Sequence, residues 1–479
     1  MAAEYLSAQG ISVPFLPSER PSASSGRPRL QKIVCVHLPN KSPDSLWDVH
    51  FSGSHVTSIT PHDPSLLQRL SHLPSVLDGS HRLLAPSLCH AHIHLDKCFL
   101  LNNPRYPDLS IEKGDLVEAV TVTREAKKKF EHDDLMTRGR WAIQESLEKG
   151  VTAMRAFVEV DTIVEMKCLD AALALKEEFK ECCEIQICAF AHEVVFTGDA
   201  GEANRRLMEK AMEREGVDVL GSTPYAEGND ESMRMNIMWA IDIAIQKRKH
   251  LDFHLDYNLK IDKEAQVWEV VRSLNEEWTN ENPGKTVVLG HCTRLTLFND
   301  KDWERLKQEV GDLPLSFVGL PASDMYMVGR PGERGIKSTR PRGTLQIPWM
   351  IKEHGFQAVL GVDNVGNGFT PQGTCDPLGV ASLGVGLYHA GTQGDTEILY
   401  ECVSSRAKKA IGVEAVDLQG LKEDSQNDAT NTGRADFILF DREGDSSLDD
   451  RRRRKTMQEI VYDPPTERLV ISDGFVMGQ

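Results

Sequence analysis

The sequence predicts a closed (β/α)8 TIM-like barrel accompanied by a small β-sandwich that both ends of the chain build together. Eight short apolar runs alternate with segments of helical periodicity between residues 87 and 410, and β-rich segments flank this middle part on both sides. Several of the apolar runs also end in a polar residue. Alternating strands and helices form parallel βαβ units, and eight such units match a closed barrel better than an open sheet.

The two chain ends supply the predicted sandwich. Residues 1–86 open with a Pro-, Ser- and Gly-rich stretch at 17–29 that we expect to be a flexible lead-in. Three strand-like runs follow, at Lys32–Leu38, Trp47–Phe51 and His55–Ile59. Residues 411–479 begin with a polar loop that includes Lys422–Arg434. Three further strand-like runs follow, at Ala435–Phe440, Glu459–Tyr462 and Arg468–Val476. We expect the basic run Arg451–Lys455 to be a solvated loop without a function, because acidic residues precede it.

The middle of the chain, residues 87–410, supplies the predicted barrel. Its first strand lies within Leu83–Lys97, and seven more are predicted at Val151–Val160, Glu184–Val194, Val217–Pro224, Leu251–Asp256, Thr286–His291, Leu315–Leu320 and Gln357–Asp363. Amphipathic spacing of apolar residues predicts intervening helices at Leu135–Leu147, Ser232–Lys249 and Lys263–Trp278. In such barrels the chemistry lies at the carboxyl ends of the strands, so the residue that ends each run matters most.

Composition and charge exclude several classes of partner. The formal charge of −17 argues against nucleic acid and anionic membrane surfaces. Ten cysteines without CxxC pairs are typical of reduced thiols in a cytoplasmic protein. The sequence shows no long apolar span and no basic-then-apolar start of a signal peptide. We therefore expect a cytoplasmic protein, and a homo-oligomer is compatible with the sequence.

Polar residues at the strand ends predict a metal site. His90, His92 and His94 alternate in the first strand, where side chains at every second position leave on the same face. Two imidazoles side by side make half of a transition-metal site, although histidines on a surface strand would also explain the pattern. Polar residues that end later runs favour the metal site: His192 in the third, His254 in the fifth, His291 in the sixth and Asp363 in the eighth.

Together these residues resemble the amidohydrolase superfamily, and most of all its cytosine deaminase-like branch. The resemblance rests on HIH at 92–94, AFAHE around His192, DFHLD around His254, LGHC around His291 and LGVDN around Asp363. The segment Gly319–Pro331, followed by Arg342 and Gly343, resembles the branch's seventh strand and the loop after it. The flanking β segments match the family's sandwich, so the resemblance covers nearly the whole chain.

The resemblance implies one divalent metal, Zn²⁺ first and Fe²⁺ second, held by four residues: His92, His94, His254 and Asp363. It also implies that Asp363 and His291 are catalytic, with Asp363 moving the proton of a metal-activated water and His291 stabilising an oxyanion. Three residues are expected to contact substrate: His192, Tyr257 and Asp324. We expect His90 to stand deeper, behind the ligands.

A second metal is not expected. Relatives with two metals bridge them with a lysine at the end of strand four, where this sequence reads VDVLGSTP. Lys97, in the loop after the first strand, cannot replace that lysine.

Two departures from the cytosine deaminase pattern leave the reaction open. Tyr257 stands where that enzyme type has a ring-protonating glutamate, and His192 where it has a glutamine. A phenol has an ordinary pKa near 10, about six units above that of a carboxyl. The sequence therefore predicts an enzyme that cleaves a C–N bond of a small nitrogen heterocycle, either by deamination or by opening a cyclic amide or imide. A non-catalytic scaffold stabilised by its metal is the alternative from a different class.

Overall fold

The computed structural model describes residues 28–39, 41–70, 73–328, 343–416, 418, 434–441 and 454–477. Two sequence-based expectations fall wholly or mostly outside them, the flexible lead-in at 17–29 and the polar loop Lys422–Arg434. Of the basic run, Arg454 and Lys455 are described, and Arg454 forms ion pairs with Asp441 and Asp463. Within the described residues, no helix combines the length and apolarity that crossing a membrane requires.

Eight parallel strands form the predicted barrel. They are β6 (Leu88–His94), β7 (Val151–Glu159), β8 (Glu184–Ala191), β9 (Val217–Ser222), β10 (His250–Leu255), β11 (Val287–His291), β12 (Leu315–Gly319) and β13 (Ala358–Leu360). Each strand pairs with the next one in chain order. A parallel bridge between Ile93 and Asp363 joins the last strand to the first, so the sheet closes as the sequence predicted.

The strands are buried along nearly their whole length because helices cover the outside of the barrel. The longer helices are α2 (Leu116–Lys127), α3 (His132–Glu148), α4 (Lys167–Phe179), α5 (Gly201–Met212), α6 (Asp230–Gln246), α7 (Val267–Glu281), α8 (Asp300–Val310), α10 (Ile347–His354), α11 (Pro377–Leu387) and α12 (Gln393–Glu401). Short helices are α1 (Pro64–Leu70), α9 (Pro321–Met327), α13 (Ser405–Ala410) and α14 (Met457–Tyr462). The three helices predicted from amphipathic spacing correspond to α3, α6 and α7.

Both chain ends build the predicted sandwich. One sheet has the order β3-β2-β1-β4, from β1 (Lys32–Val36), β2 (Trp47–Ser52), β3 (His55–Pro61) and β4 (Val76–Asp78). The other has the order β16-β15-β14-β5, from β5 (Leu84–Pro86), β14 (Phe437–Phe440), β15 (Arg468–Ser472) and β16 (Phe475–Val476). Both sheets contribute to one apolar core that includes Val49, Ile59, Phe437 and Ile471.

The strand predicted at Glu459–Tyr462 is wrong, because these residues lie in helix α14. Thr456 accepts a hydrogen bond from the backbone N–H of Glu459, and the Glu459 side chain accepts one from the backbone N–H of Thr456. This capping box satisfies two donors at the helix start and favours a helix over a strand.

The expectation that His90 shares a face with His92 and His94 is also wrong. A β-bulge shifts the register of β6 against β7 between His90 and Ile93. Such a bulge reverses which face the following side chains occupy. His90 therefore faces the helical layer, where its Nε2 lies 3.0 Å from the hydroxyl of Ser146 in α3. His90 is not a residue behind the metal ligands.

An ion pair fills the barrel interior below the strand ends. Arg155 Nη1 lies 2.9 Å from Asp252 Oδ2, and both side chains are fully buried. Arg155 also donates to Gln186, Thr286 and the carbonyl of Ile411. Burial raises the pKa of Asp252 to about 7, although the charge of Arg155 opposes the shift.

Candidate metal centre

The four predicted ligands meet at the carboxyl ends of the barrel strands. His92 and His94 end β6, His254 lies near the end of β10, and Asp363 follows β13. One ligand atom from each lies within 4.8 Å of the others, and all four residues are buried. Residues distant in sequence converge here because parallel strands of a closed barrel end on one face.

The distances within the cluster fit a single ion. His254 Nε2 lies 3.2 Å from His92 Nε2 and 3.1 Å from His94 Nε2. Asp363 Oδ1 lies 3.5 Å from the Nε2 atoms of both His92 and His94. Ligands at 2.0–2.1 Å from a tetrahedral zinc are separated by about 3.3–3.4 Å. The four distances given above are close to this spacing, which is compatible with a single ion bound by all four residues.

The chemistry of the donors fits a cation as well. Both carboxylate oxygens of Asp363 are buried without a hydrogen-bond partner among the described residues, an expensive state unless a cation binds there. Burial would raise the pKa of Asp363, but the nearby imidazoles of His92, His291 and His94 hold it below its usual value. Burial lowers the pKa of His92, His94 and His254 and so favours the neutral imidazole that binds metals.

Two of the site residues have a left-handed backbone conformation. Asp363 has φ of 70° and His291 has φ of 64°, in the left-handed region that residues with a Cβ rarely adopt. Both residues lie where a barrel strand gives way to a loop. Such outliers cost free energy and persist where the surrounding fold holds them.

A histidine–aspartate pair stands beside the cluster. The ring of His291 lies 5.1 Å from that of His254, and its Nδ1 lies 2.8 Å from Asp324 Oδ1 in α9. Asp324, expected to contact substrate, thus has one carboxylate oxygen engaged by His291; its substrate contact stays a prediction. Tyr257 packs against His291, with 4.2 Å between ring centroids and the ring planes tilted by 37°. Burial, with the charges of Asp324 and Asp363, raises the pKa of Tyr257 well above its usual value.

His192 lies on the pocket wall and belongs to a charged network that sequence reasoning missed. Its Nδ1 lies 3.3 Å from Glu159 Oε1 at the end of β7, and burial lowers the pKa of His192 to about 3. Glu159 also forms ion pairs with Lys97 and with Lys127 of α2. One feature of the sequence indicates this network: Glu159 places a carboxylate near the end of the apolar run VTAMRAFVEV.

An apolar cluster also lies beside the candidate metal centre. Tyr257 and Phe369 pack with residues of α2, α9 and the loop after β9, and the further members are Leu116, Ala119, Val120, Tyr225, Tyr326, Met327 and Val328. The cluster thus contacts His291 through Tyr257 and Lys97 through Phe369. The four ligands form the one group of His, Cys, Asp or Glu side chains with metal-binding spacing found among the described residues.

The closed barrel and the His₃Asp cluster at its strand ends define a metal-dependent hydrolase of carbon–nitrogen bonds. The amidohydrolase family model matches residues 83–415, and the chain belongs to that family. Its members bind a divalent metal, which agrees with the cluster described above.

Curated and solved proteins give the same fold at low sequence identity. The chain is 22% identical over 374 residues to the N-isopropylammelide isopropyl amidohydrolase of Pseudomonas sp. (strain ADP), covering 78% of this chain and 84% of that protein. The structure of 5-methylcytosine deaminase from Klebsiella pneumoniae liganded with 5-fluorocytosine is similar, with a TM-score of 0.75, 19% identity and coverage of 93% and 96% of the two chains. N-isopropylammelide isopropylaminohydrolase from Burkholderia multivorans has a TM-score of 0.69, 20% identity and coverage of 93% and 97%.

Proposed function

We propose that this protein hydrolyses a carbon–nitrogen bond of a small nitrogen heterocycle, with one divalent metal held by His92, His94, His254 and Asp363. The four-ligand cluster with the His291–Asp324 pair beside it carries the proposal, because a purely structural site needs neither an adjacent imidazole nor its carboxylate partner. The relatives named above act on 5-methylcytosine and N-isopropylammelide, which are nitrogen heterocycles. The donor set of three imidazoles and one carboxylate favours Zn²⁺, with Fe²⁺ second.

The chemistry divides between the metal and the side chains. When bound, the metal supplies a water whose pKa falls from about 15.7 towards about 7. Asp363 accepts a proton at a carboxylate oxygen and returns it to the departing nitrogen. His291 donates from Nε2 to the oxygen that becomes negative, because its Nδ1 is held by Asp324. Burial would lower the pKa of His291, but Asp324 raises it, which favours the donating imidazolium.

Opening of a cyclic amide or imide is a second candidate, favoured by Tyr257. Its buried phenol, with a pKa well above the usual value, is a poor source of a proton for a ring nitrogen near neutral pH. Attack on a ring carbonyl needs no such protonation in advance. His192, neutral and on the pocket wall, would contact the polar edge of the ring in either reaction.

A substrate screen tests the proposal. The zinc-loaded protein is offered pyrimidines, amino-triazines, N-alkylamino-triazines, lactams and cyclic imides, and mass spectrometry separates amine release from addition of water with the ring opened. We expect hydrolysis of at least one ring class, and we expect it to disappear in the matched variant Asp363→Asn. A fully loaded protein that hydrolyses no member of the panel would support the scaffold alternative instead.

A further inference from the structure

Lys97 is a buried lysine at the pocket that neither the metal site nor the mechanism uses. It lies three residues after His94, and only 3% of its side chain is exposed. Its ammonium nitrogen lies between two aromatic rings, 5.8 Å from the centroid of Phe190 and 5.2 Å from that of Phe369. Phe190 in turn lies 4.3 Å from the ring of His254. Lys97 is therefore one ring away from the metal ligands, on the wall that carries His192.

Lys97 has three N–H donors and, among the described residues, one polar partner for them. Nζ approaches Glu159 Oε1 at 2.8 Å, but this oxygen has no hydrogen-bond partner with proper geometry among the described residues. Glu159 is also shared with Lys127, which hydrogen-bonds to Glu159 and Asp161. An ammonium carries three N–H donors, so an ion pair with one carboxylate oxygen leaves donors for a further acceptor. An acceptor from outside the protein fits this deficit.

The surrounding residues fix Lys97 in place. Its carbonyl accepts a hydrogen bond of 3.0 Å from Asn367 Nδ2. Asn367 Oδ1 accepts from the backbone N–H of Phe369, the residue that covers the ammonium. The loops after the first and the last barrel strand thus hold the lysine and its aromatic cover as one unit. Such preorganisation is typical of a ligand contact.

We propose that Lys97 is a substrate-binding residue that donates hydrogen bonds to a ring oxygen, so that the substrate is an oxo-substituted nitrogen heterocycle. The inference rests on the proposed function, because it assigns the polar wall of the same pocket. The oxygen lies in the ring plane beside the edge that His192 contacts, and Phe190 and Phe369 flank it. A carbonyl oxygen or its enolate form suits a cation held between two aromatic faces.

Binding of two rings that differ in one oxygen tests the assignment. Calorimetry measures the affinity of the zinc-loaded protein for pyrimidin-2-one and for pyrimidine. We expect wild type to prefer pyrimidin-2-one by about 10–100-fold, the usual effect of a hydrogen bond to a charged group. Lys97→Met should bring the ratio close to one, whereas Lys97→Arg, which keeps donors, should retain part of it. Lys128→Met, which removes the same charge at an exposed lysine on another segment, should leave the ratio unchanged.

Metal content and thermal melting are measured for every variant. These measurements distinguish a variant that has lost the preference for pyrimidin-2-one from a variant that does not fold. If Lys97→Met does not fold, the double variant Lys97→Met/Glu159→Gln removes the buried ion pair as a unit and carries the comparison. An unchanged ratio in a folded, loaded Lys97 variant overturns the inference, as does a wild type without a preference. A wild type that shows the ratio but hydrolyses no ring keeps Lys97 as a binding residue and refutes the proposed function alone.

Discussion

His291 and Asp324 are joined by a hydrogen bond of 2.8 Å from Nδ1 to Oδ1, which orients the imidazole beside the four metal ligands. The bond commits Nδ1 as a donor and leaves Nε2 for the pocket. Asp324 also accepts from the backbone N–H of Leu320 at 3.3 Å, so the carboxylate is itself held by the start of helix α9. The orientation of His291 therefore depends on a residue of the next strand–helix unit.

Asp324→Asn should lower kcat/KM about 10–100-fold while metal content stays at the wild-type level, because an outer partner orients His291 without touching the ion. Steady-state kinetics and elemental analysis on the same preparation check this. Asp300→Asn, an exposed aspartate on α8, serves as the matched control. A variant with wild-type kcat/KM would show that the pair does not position a working group.

The purified protein should hold about one divalent metal per chain, because one four-ligand group is found among the described residues. His254→Ala should lose both metal and activity. His192→Ala should keep the metal, since its ring contacts Glu159 rather than the cluster. Inductively coupled plasma mass spectrometry measures both variants. Two tightly bound metals in wild type, or full occupancy in His254→Ala, would refute the ligand assignment.

Asp363→Asn should retain substantial metal and lose about 10²–10⁴-fold in turnover, because an amide oxygen can coordinate but cannot carry a proton. Turnover is measured on the best substrate of the screen at saturating concentration. Turnover within a few-fold of wild type would remove Asp363 from proton transfer and leave it a ligand only.

Tyr257→Glu should lower activity on the true substrate, because a carboxylate would stand beside His291 and the metal ligands and repel a developing oxyanion. Tyr257→Phe is the control, because it keeps the ring that packs against His291 at 4.2 Å between centroids. Its activity should fall less than that of Tyr257→Glu. Wild type should release negligible ammonia from cytosine. Robust cytosine deamination by wild type would contradict the role assigned to the missing glutamate.

Arg155→Met should destabilise the barrel by about 3–5 kcal/mol, since it leaves Asp252 buried without its partner. Burial raises the pKa of Asp252 to about 7 in the presence of Arg155, and losing the cation raises it further. A carboxyl with a raised folded-state pKa contributes stability at low pH and loses it as pH rises through that pKa. Below about pH 7 Asp252 is protonated in both folded proteins, so the deficit of the variant should grow only as pH rises above that value, from about pH 7 to about pH 9.

Thermal melting of both proteins across this pH range measures whether the stability deficit of Arg155→Met grows or shrinks as pH rises. The double variant Arg155→Met/Asp252→Asn should show little pH dependence of the deficit and should recover part of the stability. A deficit that shrinks as pH rises would contradict the assignment of the shift to Asp252.

The strand ends could be predicted because they combine two independent signals, an apolar run and the polar residue that ends it. His254, His291 and Asp363 each stand out in this way, and the barrel brings them to one face. The position of His90 could not be predicted, since a bulge in β6 leaves no mark on the alternation of residue types. Lys97 was judged only as a possible metal bridge, because its contacts with Glu159 and Phe369 join segments distant in the chain.

Asp363 belongs to the candidate metal centre, and its backbone closes the barrel against Ile93. This junction between Ile93 and Asp363, the seam of the barrel, joins segments about as far apart in sequence as Lys97 and Asn367, which are separated by 270 residues. Contacts between such remote segments carry the largest loop-closure cost and form late in folding. The ligands His92 and His94 lie on one side of this seam and Asp363 on the other. During refolding, the metal should therefore bind after the tryptophans have become buried. The rate of metal binding would then report the rate at which the barrel closes.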